Sequence, residues 1–212
     1  MSDAFQADPF VAGDWPRTFG LNLAVGWPLP VEPRAYQALA DGLAALDPGL
    51  FVYPCAQTHI TVLTLVSFKE HVEPAPEEQR ALEALVPLVK EVVAPVVRGL
   101  GLIALEFGAP RLSDRAIYLP IADPSGAIAR LRAAVLSPLR ALSPVLQRCQ
   151  PPQAVHSTLA RFRAVPAADF PARFAAWAPG RALGPIRVDA LLLTTETKPY
   201  MREGAVVATW PL

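Results

Sequence analysis

Lysine and histidine are scarce in this 212-residue chain, which has three of each: Lys69, Lys90 and Lys198, and His59, His71 and His156. Nineteen basic residues face nineteen acidic ones, so the formal net charge is zero. Such a chain has no overall field to draw it onto long duplex nucleic acid or an anionic membrane surface. Arginine supplies nearly all of the positive charge. It suits bidentate phosphate contacts, but its excess over lysine reads more simply as a composition bias. Only two cysteines occur, Cys55 and Cys149, and the reading for a cytoplasmic chain is two free thiols. No basic, then apolar, leader opens the sequence: "MSDAFQADPF" is acidic and interrupted by proline, so the expected location is the cytoplasm. Residues 50–68 lack formal charge over a length that spans a bilayer, yet Pro54, Gln57, Thr58 and His59 make insertion costly. Glycine-rich nucleotide loops are missing as well. "GLGLIALEFG" lacks the third glycine and the helix that dinucleotide binding requires, and no serine sits in a nucleophile elbow.

What is present is apolar. Fifty-two percent hydrophobic residues and a mean hydropathy of +0.30 predict a compact fold. "TFGLNLAVGW" reads as a buried strand, followed by a helix over "EPRAYQALADGLAAL", in which Tyr36, Leu39, Leu43 and Leu46 repeat at three and four. A strand follows through residues 57–66, then a long helix over residues 74–97 with a kink or break expected at Pro87. Two strands around "RLSDR", a helix over residues 126–142, a strand "QAVHSTLARF" and a short helix "AADFPARFAAW" come next. A hairpin of "IRVDALLLTTET" with "AVVATWPL" closes the chain. Each half thus offers a helix, a histidine strand, a further helix and a strand pair. The expectation is an irregular arm over residues 1–16 and one domain of two similar lobes over residues 17–212.

Two of the three histidines stand in one pattern, "HIT" at 59–61 and "HST" at 156–158. Side chains two apart on a strand share a face, roughly 6.5–7 Å apart. His59 with Thr61, and His156 with Thr158, therefore each present an imidazole and a hydroxyl to one side. A lone histidine–threonine pair on an apolar strand is ordinarily a satisfied core histidine. Two copies on two strands predict a shared site instead, with two imidazoles able to trade a proton near neutral pH and two hydroxyls able to bond phosphate oxygens. That set suits phosphodiester chemistry, one histidine taking a proton from the attacking oxygen and the other giving one to the leaving oxygen. His71 lies in a polar connection and reads as surface. Zinc is the competing use, because Cys55 precedes His59 by four positions; on an extended strand that is about 13 Å, too far for one ion. Arg161 would face away from His156 on a regular strand and would need a bulge to reach phosphate, so packing or a surface ion pair is its expected role.

"HITV" and "HSTLARF" resemble the two H-x-T-hydrophobic motifs of the 2H phosphoesterase superfamily, which includes the LigT-like RNA 2′,3′-cyclic phosphodiesterases, also called 2′-5′ RNA ligases. The likeness extends over about residues 17–212. It implies an α+β, bilobal fold, with two pseudo-symmetric antiparallel sheets and flanking helices around a central groove. It also implies hydrolysis of cyclic phosphates with no cofactor and no metal, His59 and His156 as the acid/base pair, and Thr61 and Thr158 as phosphate binders. The expected partner is a nucleotide or RNA 3′-end carrying a cyclic phosphate, and the expected state is a monomer away from membranes. The first motif has valine where leucine is usual and no following arginine, and "TTETKPYMREG" departs from the usual closing pattern. Tyr200 and Arg202 in that segment, with Lys198, are candidates to meet a base or a second phosphate. A module that binds the same nucleotide or RNA end without turnover remains the alternative.

Overall fold

The computed structural model describes residues 5–212; residues 1–4 of the expected arm lie outside that range. The rest of the arm carries one helical turn, α1 (Pro9–Ala12), which Asp8 opens by accepting from the Phe10 N–H at 3.0 Å. The backbone N–H of Asp8 donates to the Phe162 carbonyl at 2.8 Å. The arm is thereby fastened beside the second histidine strand.

After the arm come β1 (Gly20–Val25), α2 (Pro33–Leu46), β2 (Leu50–Val52) and β3 (Ile60–Val66). Every residue of β1 is buried, as suits a strand with neighbours on both sides. Pro33 starts α2, where a missing N–H costs nothing, and Tyr36, Leu39 and Leu43 form its buried stripe. The long helix expected over residues 74–97 is two helices, α3 (Pro76–Glu83) and α4 (Leu85–Val97). The break falls at Ala84, upstream of Pro87, because a proline ring collides with the carbonyl four residues earlier, here that of Glu83. Val89, Val93 and Val97 bury one face of α4.

The second half runs β4 (Ile103–Phe107), β5 (Arg111–Leu112), β6 (Ala116–Ala122), α5 (Ala127–Leu142), β7 (His156–Phe162), α6 (Phe170–Trp177), β8 (Pro185–Val188), β9 (Ala190–Lys198) and β10 (Glu203–Pro211). The segment "IRVDALLLTTET" is therefore two strands and not one, parted at Asp189. β8 pairs with β4, whereas β9 pairs with β1 and β10.

Two antiparallel sheets result. One has the order β10-β9-β1-β3, and the other the order β2-β7-β6-β4-β8 with β5 beside β6. The α+β class with two antiparallel sheets and flanking helices is as the family resemblance implies, but the lobes are not the two halves of the chain. β2 crosses from the N-terminal half into the second sheet, and β9 and β10 return to the first. A single apolar cluster joins both sheets to α2, α4 and α5. Between the sheets, Thr64 of β3 and Gln150 exchange two backbone hydrogen bonds, at 3.2 and 3.1 Å.

Candidate active site

Bulges decide which side chains of the two histidine strands face the same space. Along β3, Ala24 pairs with Thr61, Leu23 with Leu63, Asn22 with Thr64 and Leu21 with Val66. Val62 and Leu65 have no partner of their own, so each is the extra residue of a bulge. Each bulge shifts the alternation by one, and Thr61, Thr64 and Ser67 all come to one side, with the apolar residues between them buried. On β7, Tyr118 pairs with Thr158 and Ile117 with Ala160, which leaves Leu159 as the extra residue. That bulge turns Arg161 to the face of His156 and Thr158, against the expectation that it lies away from the histidine. Arg161 does form an ion pair, but inside the cleft and not on the surface.

The cleft between the sheets has a volume of about 290 Å³ and is lined by His59, Thr61, His156 and Thr158 together, the convergence that the paired motifs predict. Arg161, Lys69, Glu196 and Tyr200 also line it. Arg202 does not; its guanidinium lies over the rings of Trp15 and Phe51, at 4.5 and 5.4 Å from their centroids. Lys198 gives its ammonium to the Trp15 carbonyl at 2.7 Å. His71 stands outside the cleft against Glu78, at 2.7 Å.

No protein-family model matches the chain, and no curated protein matches it significantly. Solved structures do. TT0787 of Thermus thermophilus superposes with a TM-score of 0.59 at 20% identity, over 91% of this chain and 97% of that one. LigT of E. coli, solved in complex with 3′-AMP, gives 0.56 at 14% identity, over 94% and 99%. ATU0111 from Agrobacterium tumefaciens str. C58, described as a conserved protein of unknown function, gives 0.62 at 11% identity, over 98% and 90%.

The chain has the LigT fold. This agrees with the resemblance carried by "HITV" and "HSTLARF", since LigT-like proteins are among the family those motifs point to.

Within this LigT-like frame the two histidines are held alike. Nδ1 of His59 lies 3.0 Å from the Gln57 carbonyl, and Nδ1 of His156 lies 3.0 Å from the Ala154 carbonyl. A carbonyl only accepts, so each Nδ1 carries the hydrogen and each Nε2 is left for the cleft. Burial pulls the His59 pKa down to about 4; the Gln57 carbonyl opposes this, and the positive charge of His156 and Arg161 adds to it. His59 is therefore neutral at neutral pH, with a lone pair on Nε2.

The Arg161 side of the cleft is a buried network drawn from four distant parts of the chain. Its Nη1 donates to Asp8 Oδ2 at 3.0 Å and its Nε to the Tyr53 hydroxyl at 3.1 Å. The guanidinium lies 3.5 Å from the centre of the Tyr200 ring, and the Tyr200 hydroxyl donates to the same Asp8 oxygen at 2.6 Å. Asp8 is 2% exposed and Arg161 is 16% exposed. A planar guanidinium fits this arrangement of a fork and a stacked face, which an ammonium does not.

Glu196 is the second unexpected member. It accepts from the Met201 N–H at 2.6 Å and from the Asn22 amide at 3.2 Å. Tyr200 and Met201 both have left-handed backbones, with φ of 61° and 60°, a conformation costly for residues with a side chain. The Glu196 carboxyl ties this turn down and so sets Tyr200 against Arg161. Burial raises its pKa to about 7, even though the Met201, Asn22 and Tyr200 donors and the Arg161 charge all favour the anion.

Proposed function

We propose that the protein is a 2H phosphoesterase that opens a 2′,3′-cyclic phosphate, at an RNA end or on a nucleotide, by acid/base catalysis with His59 and His156. One observation carries this reading: two histidine–threonine pairs, from two different sheets, line a single cleft, and among the described residues neither Nε2 is hydrogen-bonded. LigT, whose fold this is, has been solved with 3′-AMP and with NADP+, both of them nucleotides.

His59, neutral and short of a proton, is the base: its Nε2 takes a proton from water as the water oxygen bonds to phosphorus. His156 is the acid. Its Nε2–H goes to the ribose oxygen as the bond from that oxygen to phosphorus breaks, leaving a phosphomonoester and a free hydroxyl. The Thr61 and Thr158 hydroxyls donate to the non-bridging oxygens, and Arg161, already oriented by Asp8, Tyr53 and Tyr200, supplies positive charge where negative charge grows. The Tyr200 ring is covered by that guanidinium, so its role is to seat Arg161 rather than to stack on a base.

The test is turnover of 2′,3′-cyclic nucleotides and of oligoribonucleotides ending in a cyclic phosphate, in excess EDTA. His59→Ala and His156→Ala should each reduce kcat by about 10²–10⁴-fold, and full activity in both variants would refute the reading. The pH profile of kcat/KM should rise with a limb near pH 4, where free His59 loses its proton. Tight binding of a nucleoside monophosphate with no turnover of any substrate would make the protein a binding module.

A further inference from the structure

The first histidine strand does not end its polar face at Thr61. Thr64 follows on the same side across the first bulge and Ser67 across the second, and both also line an adjoining chamber of about 510 Å³ that shares Thr64, Ser67 and Pro152 with the catalytic cleft. Their side-chain hydroxyls make no hydrogen bond among the described residues. They are thus open to a ligand, whereas Thr58 is already committed to the Cys55 carbonyl at 2.6 Å and Thr194 to the Asn22 carbonyl at 3.3 Å. Thr61 and Thr64 stand opposite Ala24 and Asn22, two residues apart on β1, and so lie roughly 6.6–6.8 Å apart along the sheet. That is the order of the spacing between successive phosphates of an extended single strand.

The walls of the chamber fit the same ligand. The two backbone hydrogen bonds between Thr64 and Gln150 hold the floor rigid. Pro151 and Pro152 then present an apolar surface without N–H groups. Arg148 reaches Glu70 at 2.8 Å, but the two side chains are 63% and 46% exposed. Such an exposed pair is screened by solvent and worth little, so it gives way readily to a phosphate. Lys69 stands on the cleft side with no ion-pair partner among the described residues. Burial lowers its pKa, and so does the nearby Arg161, an environment that an anion would relieve. Arg161, held by Asp8, serves the reacting phosphate, so Lys69 and Arg148 are the cations placed for a second one.

We infer that the site takes a chain rather than a lone nucleotide: the phosphate next to the reacting one bonds to Thr64 and Ser67 between Lys69 and Arg148, and the neighbouring base lies against Pro151 and Pro152. This rests on the phosphoesterase reading above and adds the length of the substrate to it.

The experiment compares a 2′,3′-cyclic nucleoside monophosphate with a dinucleotide ending in the same cyclic phosphate. Calorimetry on the full-length protein does the same for a nucleoside 3′-monophosphate and a dinucleotide 3′-phosphate. The dinucleotide should bind at least about tenfold more tightly and show a matching advantage in kcat/KM. In Thr64→Val with Ser67→Ala, that advantage should shrink to about twofold. Arg148→Glu, a change on an exposed side chain that spares the core, should weaken dinucleotide binding and lessen its salt dependence. Equal affinity for the two ligands, or an advantage that survives all these changes, overturns the subsite. Turnover of the mononucleotide with no dinucleotide advantage leaves the enzyme and removes the subsite; a dinucleotide advantage in binding with no turnover keeps the subsite and removes the enzyme.

Discussion

Asp8 reaches the cleft from the N-terminal arm and neutralises a guanidinium that would otherwise be buried without a counter-ion. Breaking a buried pair by removing one partner is costly because the other charge stays behind. Asp8→Ala should therefore destabilise the protein by about 3–5 kcal/mol, measured by urea unfolding, and should raise KM for a cyclic phosphate as Arg161 loses its orientation. An unchanged KM would separate Asp8 from the site. Arg161→Lys keeps the charge but forfeits the bond to Tyr53 and the stacking on Tyr200, and should behave much like the loss of Asp8. Glu196 gives a pH signature of its own. Its folded pKa of about 7 lies above the ordinary 4.5, so between these values the unfolded chain gives up a proton that the native protein keeps. Stability contributed by this group is full below pH 4.5, falls as pH rises toward 7, and is flat beyond, for a total on the order of 3 kcal/mol. Glu196→Gln removes that fall, so its melting temperature relative to the parent should climb from pH 5 to pH 8. A constant difference across that range would mean the carboxyl does not titrate as proposed.

At the scale of the element, the bulges are the features that build the site, and one of their signals is legible in the sequence. In "ITVLTLVSF" the polar residues Thr61, Thr64 and Ser67 recur every third position with apolar pairs between them. Neither a regular strand nor a helix has that period; a strand with two extra residues does. "HSTLARF" repeats the signal with Leu159 and Ala160 before Arg161. Reading both as regular strands brings the histidines and threonines together correctly but turns Arg161 away. The crossing at Asp189 and the break at Ala84 are hidden for different reasons. An aspartate between two apolar runs is compatible with one strand or two, and the choice is made by where the partner edges lie. The proline's effect is legible only once its clash with the carbonyl four residues back is counted. A third irregularity, in the closing hairpin between Glu203 and Gly204, depends on the glycine. A side chain at Gly204 would run into the Thr195 carbonyl oxygen, which is backbone and has nowhere to move. Gly204→Ala should cost about 1–3 kcal/mol in denaturant unfolding and loosen the turn that carries Tyr200. A substitution without effect would show that the hairpin can shift.

For the whole molecule, the exchange of strands between halves matters more than the likeness of the halves. The motifs and their strands can be read locally, whereas Asp8, Tyr53 and Glu196 reach the cleft only through long-range pairing that no local pattern announces. β2 in the second sheet and β9 and β10 in the first mean that neither sheet is complete without residues from the other half of the chain. One apolar cluster lies under both, and the Thr64–Gln150 bridge ties β3 to the segment that leads into β7. Separating the sheets would expose that cluster and unpair the strands that crossed over, so the lobes have no low-cost route to opening one at a time. The four tryptophans sample this body broadly: Trp15 lies by the arm, Trp27 after β1, Trp177 at the end of α6 and Trp210 in β10. Unfolding followed by tryptophan fluorescence and by far-ultraviolet circular dichroism should trace a single coincident transition. Two resolved steps would mean that the lobes fold independently. The cleft between them would then be free to widen, and its two histidines would hold their facing geometry only once substrate is bound.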